Sequence, residues 1–302
     1  MTTFATIFVH NILPAFLVMS AGIILDRCLH VDKRSLSRMA IYVLTPCLIF
    51  SSIVQSAVDP SQFGIMIVYV LVLTGLLVAL ALGVAKALGW SRTMSDALVL
   101  STAFLNAGNF GLSVILFAFG DEGLALATVL FVGSNFSCNS LAAFFAARGS
   151  GSGRKALLSV LRLPAPYAFA LAMVLRLLHV QVPDPILEPV ALIGRATVPV
   201  LLMMLGLQLS QTRVSRRFGE VAVAVVLRLV VGAVVGIGLA LAMGLEGLAR
   251  SVAITEAATP TAVSSALMAI EFDSDADFVT SVIFFSTLFS AVTLTILLSF
   301  LT

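Results

Sequence analysis

The apolar positions of this chain neither alternate nor mark single helix faces; they come in long runs separated by short polar joints. A helix needs about 20 mostly apolar residues to cross the hydrocarbon core of a bilayer. Ten runs qualify: 4–25, 36–57, 63–89, 94–119, 122–147, 156–180, 186–210, 218–243, 248–270 and 276–301. The joints carry the turn formers and charges: "DRCLHVDKR", "VDPSQ", "WSR", "DEG", "RGSGSGRK", "QVPDP", "QTRVSRR", "LEG" and "EFDSDAD". The pattern predicts an all-α polytopic membrane protein of ten transmembrane helices with no soluble domain. The basic Gly/Ser-rich joint 148–155 reads as a linker between 1–147 and 156–302.

Composition agrees. Of 302 residues, 60% are hydrophobic and 11% charged, where a soluble domain carries about 25% charged residues. Mean hydropathy is +1.13. The net charge of +2 matters less than where the charges lie. Thirteen of the 17 Lys and Arg residues flank the odd-numbered joints, from Arg27 to Arg217. Only Arg176 and Arg250 flank the even ones, and Arg195 and Arg228 fall inside runs. The positive-inside rule then places the odd joints in the cytoplasm and both termini outside it. Cys28, Cys47 and Cys138 are too scattered for a disulfide framework or metal spacing. No basic segment precedes the first run, which reads as a retained span rather than a cleaved signal.

The ten spans divide into five and five. Pro14 and Pro166, Pro46 and Pro199, and Asn109 and Pro260 are 152, 153 and 151 residues apart. An odd number of spans per copy forces the second copy into the opposite topology. Inverted repeats with helices interrupted at matching places mark secondary transporters.

The interruptions are chemically suggestive. Span 4 carries "NAGNFG", with Asn106, Gly108, Asn109 and Gly111; span 9 carries "EAATPTA", with Glu256, Thr259, Pro260 and Thr261. Pro260 has no donor for the carbonyl of Glu256. Unpaired backbone groups in lipid cost several kcal/mol each, so such breaks survive only against protein or a wet cavity. Unwound together near the midplane, the half-helix ends and the asparagine amides would form a polar binding site. Close helix packing is the competing explanation of either motif alone.

These residues carry a family resemblance. "NAGNFGLS" in span 4, "ATPTA" in span 9, "LTPCLIFSSI" in span 2 and the five-plus-five layout make the whole chain resemble the auxin efflux carriers. It is more distantly similar to bile-acid sodium symporters. The resemblance implies a scaffold of spans 1, 2, 6 and 7 beside a transport unit of spans 3–5 and 8–10, moving by an elevator mechanism. It implies small organic anions as substrates, such as malonate, malate or auxin-like acids. By match to the motifs, Asn106, Gly108, Asn109, Gly111, Thr259, Pro260, Thr261 and Pro46 would form the substrate site. Ser113 stands where the family often has proline, and plant members have a long hydrophilic loop where this chain has a few residues. Both features speak against auxin itself as the substrate, and the short loop points to a bacterial-type member in an inner membrane.

Three charges lie about 12–15 Å inside spans 7, 8 and 9: Arg195, Arg228 and Glu256. A central charge costs about 2.5–3.5 kcal/mol on the milder insertion scale, so each is a functional candidate. Arg195 has no evident partner in sequence and is expected to meet an anion. Glu256 and Arg228 are expected to balance or couple charge, or to form a static ion pair; burial and a nearby arginine act on the carboxyl in opposite directions. A lone His10 in span 1 reads as a helix–helix bond.

Function then narrows to a carrier of organic anions, with a channel, a sensor or a cation-coupled bile-acid-type symporter as alternatives. An intramembrane enzyme lacks support: there is no HExxH, no GxSxG and no span with two aspartates. No GxxxxGK[ST] motif is present, so the energy source would be a gradient. The expected partners are the anion and the lipid bilayer, with no cofactor and no nucleic acid. A proton or sodium coupling ion and a homodimer stay open.

Overall fold

The computed structural model describes residues 4–29, 31–148, 163–212 and 215–301, without the side chains of 139 and 141–148. The described chain is helical, with one isolated β-bridge and no strand. The helices are α1 Phe4–Leu29, α2 Lys33–Gln55, α3 Pro60–Ala87 and α4 Arg92–Ala103. Next come α5 over 107–119 and α6 over 121–148, divided at Gly120, where φ is +68°. They are followed by α7 Ala165–Leu177, α8 Asp184–Leu209, α9 Phe218–Ala242, α10 Gly247–Ala257, α11 Ser264–Glu271 and α12 Ala276–Leu301.

Among the described residues, seven helices are long and apolar enough to cross a membrane by themselves. The shortfall from ten has physical causes. Spans 4 and 9 are each cut into two pieces, α4/α5 and α10/α11, of which α4, α10 and α11 are only 8–12 residues long. Most of linker 148–155 and the first part of span 6 lie outside the described residues.

Capping and proline explain the element boundaries. The Asp32 carboxylate accepts from the N–H groups of Arg34 and Ser35 and starts α2; Asp59, followed by Pro60, starts α3. Such caps satisfy the orphan donors of a first turn. Pro14 and Pro46 have no N–H for the carbonyls of His10 and Tyr42. Both carbonyls sit in π-helical turns, Phe8–Ile12 and Ala40–Leu44, where the wider turn relieves the clash. Pro199 acts similarly on α8, which loosens at Ala196.

Two sets of helices pack internally. In the first, α1 lies on α8, and α2 lies on α7 and α8. Gly22 and Gly206 let the α1 and α8 backbones touch: a Cβ on either would run into the carbonyl of Met203 or Met19. Gly194 likewise meets the backbone of Leu48 on α2. In the second, α3 packs on α4, α6, α9 and α10, and α12 packs on α4, α9 and α11. Gly133 admits Val70 and Gly236 admits Ala257 there.

The joints gather at two ends. At one, Asp26 accepts from Ser210 and Gln211, Lys33 donates to the Leu207 carbonyl at 2.7 Å, and Ser274 donates to Thr93. At the other, Arg176 and Glu122 converge on residues 53–58.

Candidate substrate site at the paired helix breaks

The break between α4 and α5 meets the break between α10 and α11. Leu105 and Thr261 form an antiparallel bridge. Asn106 N–H donates to the Pro260 carbonyl at 2.9 Å, and Ala262 N–H donates to the Phe104 carbonyl at 3.0 Å. Each interrupted helix thus satisfies the other's exposed backbone, as a break at membrane depth requires. Further bonds secure the join. Thr261 donates from Oγ1 to the Ser101 carbonyl at 2.6 Å and from its N–H to the Ser286 hydroxyl oxygen at 3.1 Å. The Glu256 carbonyl freed by Pro260 accepts from the Thr259 N–H at 3.1 Å and its hydroxyl at 2.7 Å.

Arg228 closes the carboxyl ends. It is fully buried and sits in a π-helical turn of α9, Leu227–Val231. Its guanidinium donates to three carbonyls: Thr102 at 3.1 Å, Ala257 at 2.6 Å and Thr259 at 2.8 Å. A cation therefore lies at the negative ends of α4 and α10, where dipole and orphan carbonyls both favour it. No carboxylate lies within ion-pair distance of Arg228 among the described residues. The static Glu256–Arg228 pair considered from sequence is not formed, because backbone acceptors occupy the arginine.

Glu256 is also fully buried, and neither carboxylate oxygen has a hydrogen-bond partner. The carboxylate lies against Gly111 of α5.

The amino ends of α5 and α11 open on a cavity of about 230 Å³. Asn106, Gly108 and Asn109 line it from one break and Ala262, Val263 and Ser264 from the other. Thr45, Asn135, Ser134, Cys138 and Gln208 add to the polar wall, and among the described residues no Asp, Glu, Lys, Arg or His side chain reaches it. The Asn106 side chain is 3% exposed and its amide nitrogen has no partner. The first N–H groups of a helix have no intrahelical acceptor, so two positive dipole ends face this space. The cavity shares Ser37, Met204, Gln208, Val263 and Leu267 with a wider vestibule of about 490 Å³, at whose rim stand Lys33 and Arg34.

The remaining sequence candidates fall elsewhere. Thr259, Pro260 and Thr261 build the join and do not line the cavity; Gly111 faces Glu256; beside Pro46, Thr45 reaches the wall. Arg195 is exposed in a separate space of about 330 Å³ beyond the join, with Ser51, Gln55, Asp121 and Glu122. Reasoning from sequence missed Asn135 and Gln208. The first had a signal, the polar cluster "GSNFSCNS" inside an apolar run; the second passed for the edge of a joint.

The chain is similar in sequence to known transporters. An uncharacterized transporter of Methanothermobacter thermautotrophicus is 29% identical over 266 residues, 87% of each chain. An uncharacterized transporter of Methanocaldococcus jannaschii is 28% identical over 199 residues, 64% of each. The family model described as membrane transport protein matches residues 7–298. The chain is therefore an integral membrane transporter and belongs to the membrane transport protein family, that of the auxin efflux carriers.

Proposed function

We propose that the protein is a secondary carrier of small organic anions, carboxylates foremost, and that the cavity at the paired breaks is its binding site. One arrangement carries the reading. Two helices begin at the wall of a cavity that no Asp, Glu, Lys, Arg or His side chain reaches among the described residues, and a buried, unpartnered asparagine amide nitrogen reaches the same wall. Helix starts favour negative charge, and amide NH₂ groups complement a carboxylate. A cation would meet two positive dipole ends and, among the described residues, no carboxylate.

The ten-span inverted repeat fits the paired breaks, with α4/α5 and α10/α11 as the corresponding members. The α1, α2, α7, α8 set serves as scaffold, its backbones in contact through Gly22, Gly194 and Gly206. The other set moves, sliding over apolar contacts such as the edge-to-face pair Phe16–Phe110 at 5.9 Å. The vestibule end carries Lys33 and Arg34 and faces the cytoplasm, leaving both termini outside. Arg195 meets the anion beyond the join. Glu256, buried without a bond, takes the coupling proton or sodium ion.

Uptake of radiolabelled malonate, malate and indole-3-acetate into proteoliposomes tests this. Saturable uptake with counterflow is expected. Asn106→Ala and Asn109→Ala should weaken affinity about ten- to hundredfold at unchanged expression, the loss of one bond to a charged group. Uptake linear in concentration without counterflow would make the protein a channel. Binding of a neutral or cationic ligand with every carboxylate ignored would remove the anion reading.

A further inference from the structure

We propose that Glu122 is the latch that holds the carrier closed at its outer end. The inference rests on the alternating-access reading above and adds a residue to it.

The observation is a polar contact that joins the two helix sets at the end opposite the vestibule. Glu122 stands at the start of α6, in the moving set. It accepts from the Ser56 hydroxyl at 2.7 Å and from the Ala57 N–H at 3.0 Å, both just past the end of α2 in the scaffold. The Ser56 hydroxyl in turn accepts from the Val58 N–H at 3.1 Å, which fixes its orientation. Arg176 of α7 holds the same segment from behind. It donates to the carbonyls of Ile53 at 2.8 Å, Ser56 at 2.5 Å and Val58 at 2.6 Å, and lies 5.5 Å from the Phe63 ring centroid. The receiving segment is thus rigid before Glu122 engages it.

Function follows from placement. The cavity at the breaks joins the vestibule, so the site is reached from the basic end. Opening it to the other end requires α6 to leave the end of α2, and two hydrogen bonds to one carboxylate must break. Charged hydrogen bonds are the strong ones, so this contact sets the balance between the two states. Gly120, one residue before α6, has φ +68°, a left-handed conformation that favours glycine, at the division between α5 and α6.

Cys138 lines the cavity and reports the state. With Cys28→Ser and Cys47→Ser as background, its reaction with an impermeant maleimide is timed in inverted vesicles and in spheroplasts. The latched protein reacts from the cytoplasmic face. Glu122→Ala should slow that reaction and raise labelling from the outer face, shifting the ratio about tenfold or more, since both charged hydrogen bonds to the carboxylate are lost. Ser56→Ala should shift it in the same direction by less, and decides the matter if Glu122→Ala does not fold. Glu246→Gln changes an exposed acid at the start of α10 that makes no cap bond; it leaves these bonds in place and should match the background protein. A ratio unchanged in Glu122→Ala, or unchanged in Ser56→Ala where only that variant folds, overturns the latch. Equal labelling from both faces in the background protein removes alternating access itself and the latch with it.

Discussion

Gly111 lies against the carboxylate of Glu256, close enough that a methyl group at position 111 would occupy the same space. The contact ties α5 to α10 immediately behind the paired breaks. It explains a glycine that sequence reasoning gave to the ligand: the residue makes room for a buried acid. Gly111→Ala should lower stability by about 1–3 kcal/mol, the usual cost of overpacking. Glu256→Ala in the same chain should recover part of that loss, because the colliding atoms are gone. Thermal unfolding in detergent of both single variants and the double variant gives the coupling. Strict additivity would show that residue 111 yields in some other way.

A second prediction concerns the scaffold. Gly206→Val should be severe, since the added atoms meet the Met19 carbonyl, a backbone group that cannot rotate away. Gly75→Ala on α3 has nothing within 4 Å of the added methyl. It should be neutral or stabilise by up to about 1 kcal/mol through helix propensity. Melting temperatures of the two variants in one detergent test the contrast. Similar losses in both would mean that α1 and α8 do not depend on backbone contact.

Much of this was legible in the sequence. Asn106–Gly111 and Thr259–Thr261 announce their breaks because glycine and proline weaken a helix wherever they stand. That the two breaks meet was legible from their matching spacing; the bonds that join them were not, since the bond from Asn106 to Pro260 links residues 154 positions apart through backbone atoms that no side chain encodes. Arg228 meets a related limit. Sequence offers side chains as partners, so a static pair with Glu256 stood as one of its two readings; the fold supplies three carbonyls. Arg195 was placed by depth alone, and depth does not say which side of the join a side chain reaches.

The carbonyl role of Arg228 makes a discriminating prediction. Arg228→Gln should unfold the join, because a buried acceptor left unbonded costs about 1–3 kcal/mol and three are at stake. Arg228→Lys should be milder, keeping the charge without the planar reach of a guanidinium. The key variant is Arg228→Gln with Glu256→Gln. If the two residues served mainly as a charge pair, removing both would restore stability, as replacement of buried pairs often does. The carbonyl bonds predict that the double variant stays as unstable as Arg228→Gln alone. Recovery of the wild-type melting temperature by the double variant would return the arginine to the acid.

Glu256 gives the last prediction. Its carboxylate is fully buried, faces Gly111 and has no hydrogen bond, while the nearby arginine is spent on backbone. An acid so placed is costly unless it serves the transport cycle. On the coupling reading it carries a proton or sodium ion when the moving set crosses the membrane and releases it on the other side. Glu256→Gln keeps the shape and removes the exchange. The variant should therefore still exchange labelled substrate for unlabelled substrate across the bilayer, because exchange needs only the loaded form to move. It should lose acceleration by an imposed pH or sodium gradient, because no group is left to feel it. Both assays run on the same proteoliposomes, so folding and insertion are controlled within the experiment. Full gradient-driven uptake by Glu256→Gln would move coupling elsewhere. Loss of exchange together with driven uptake would assign the carboxylate to the join, as packing beneath α5.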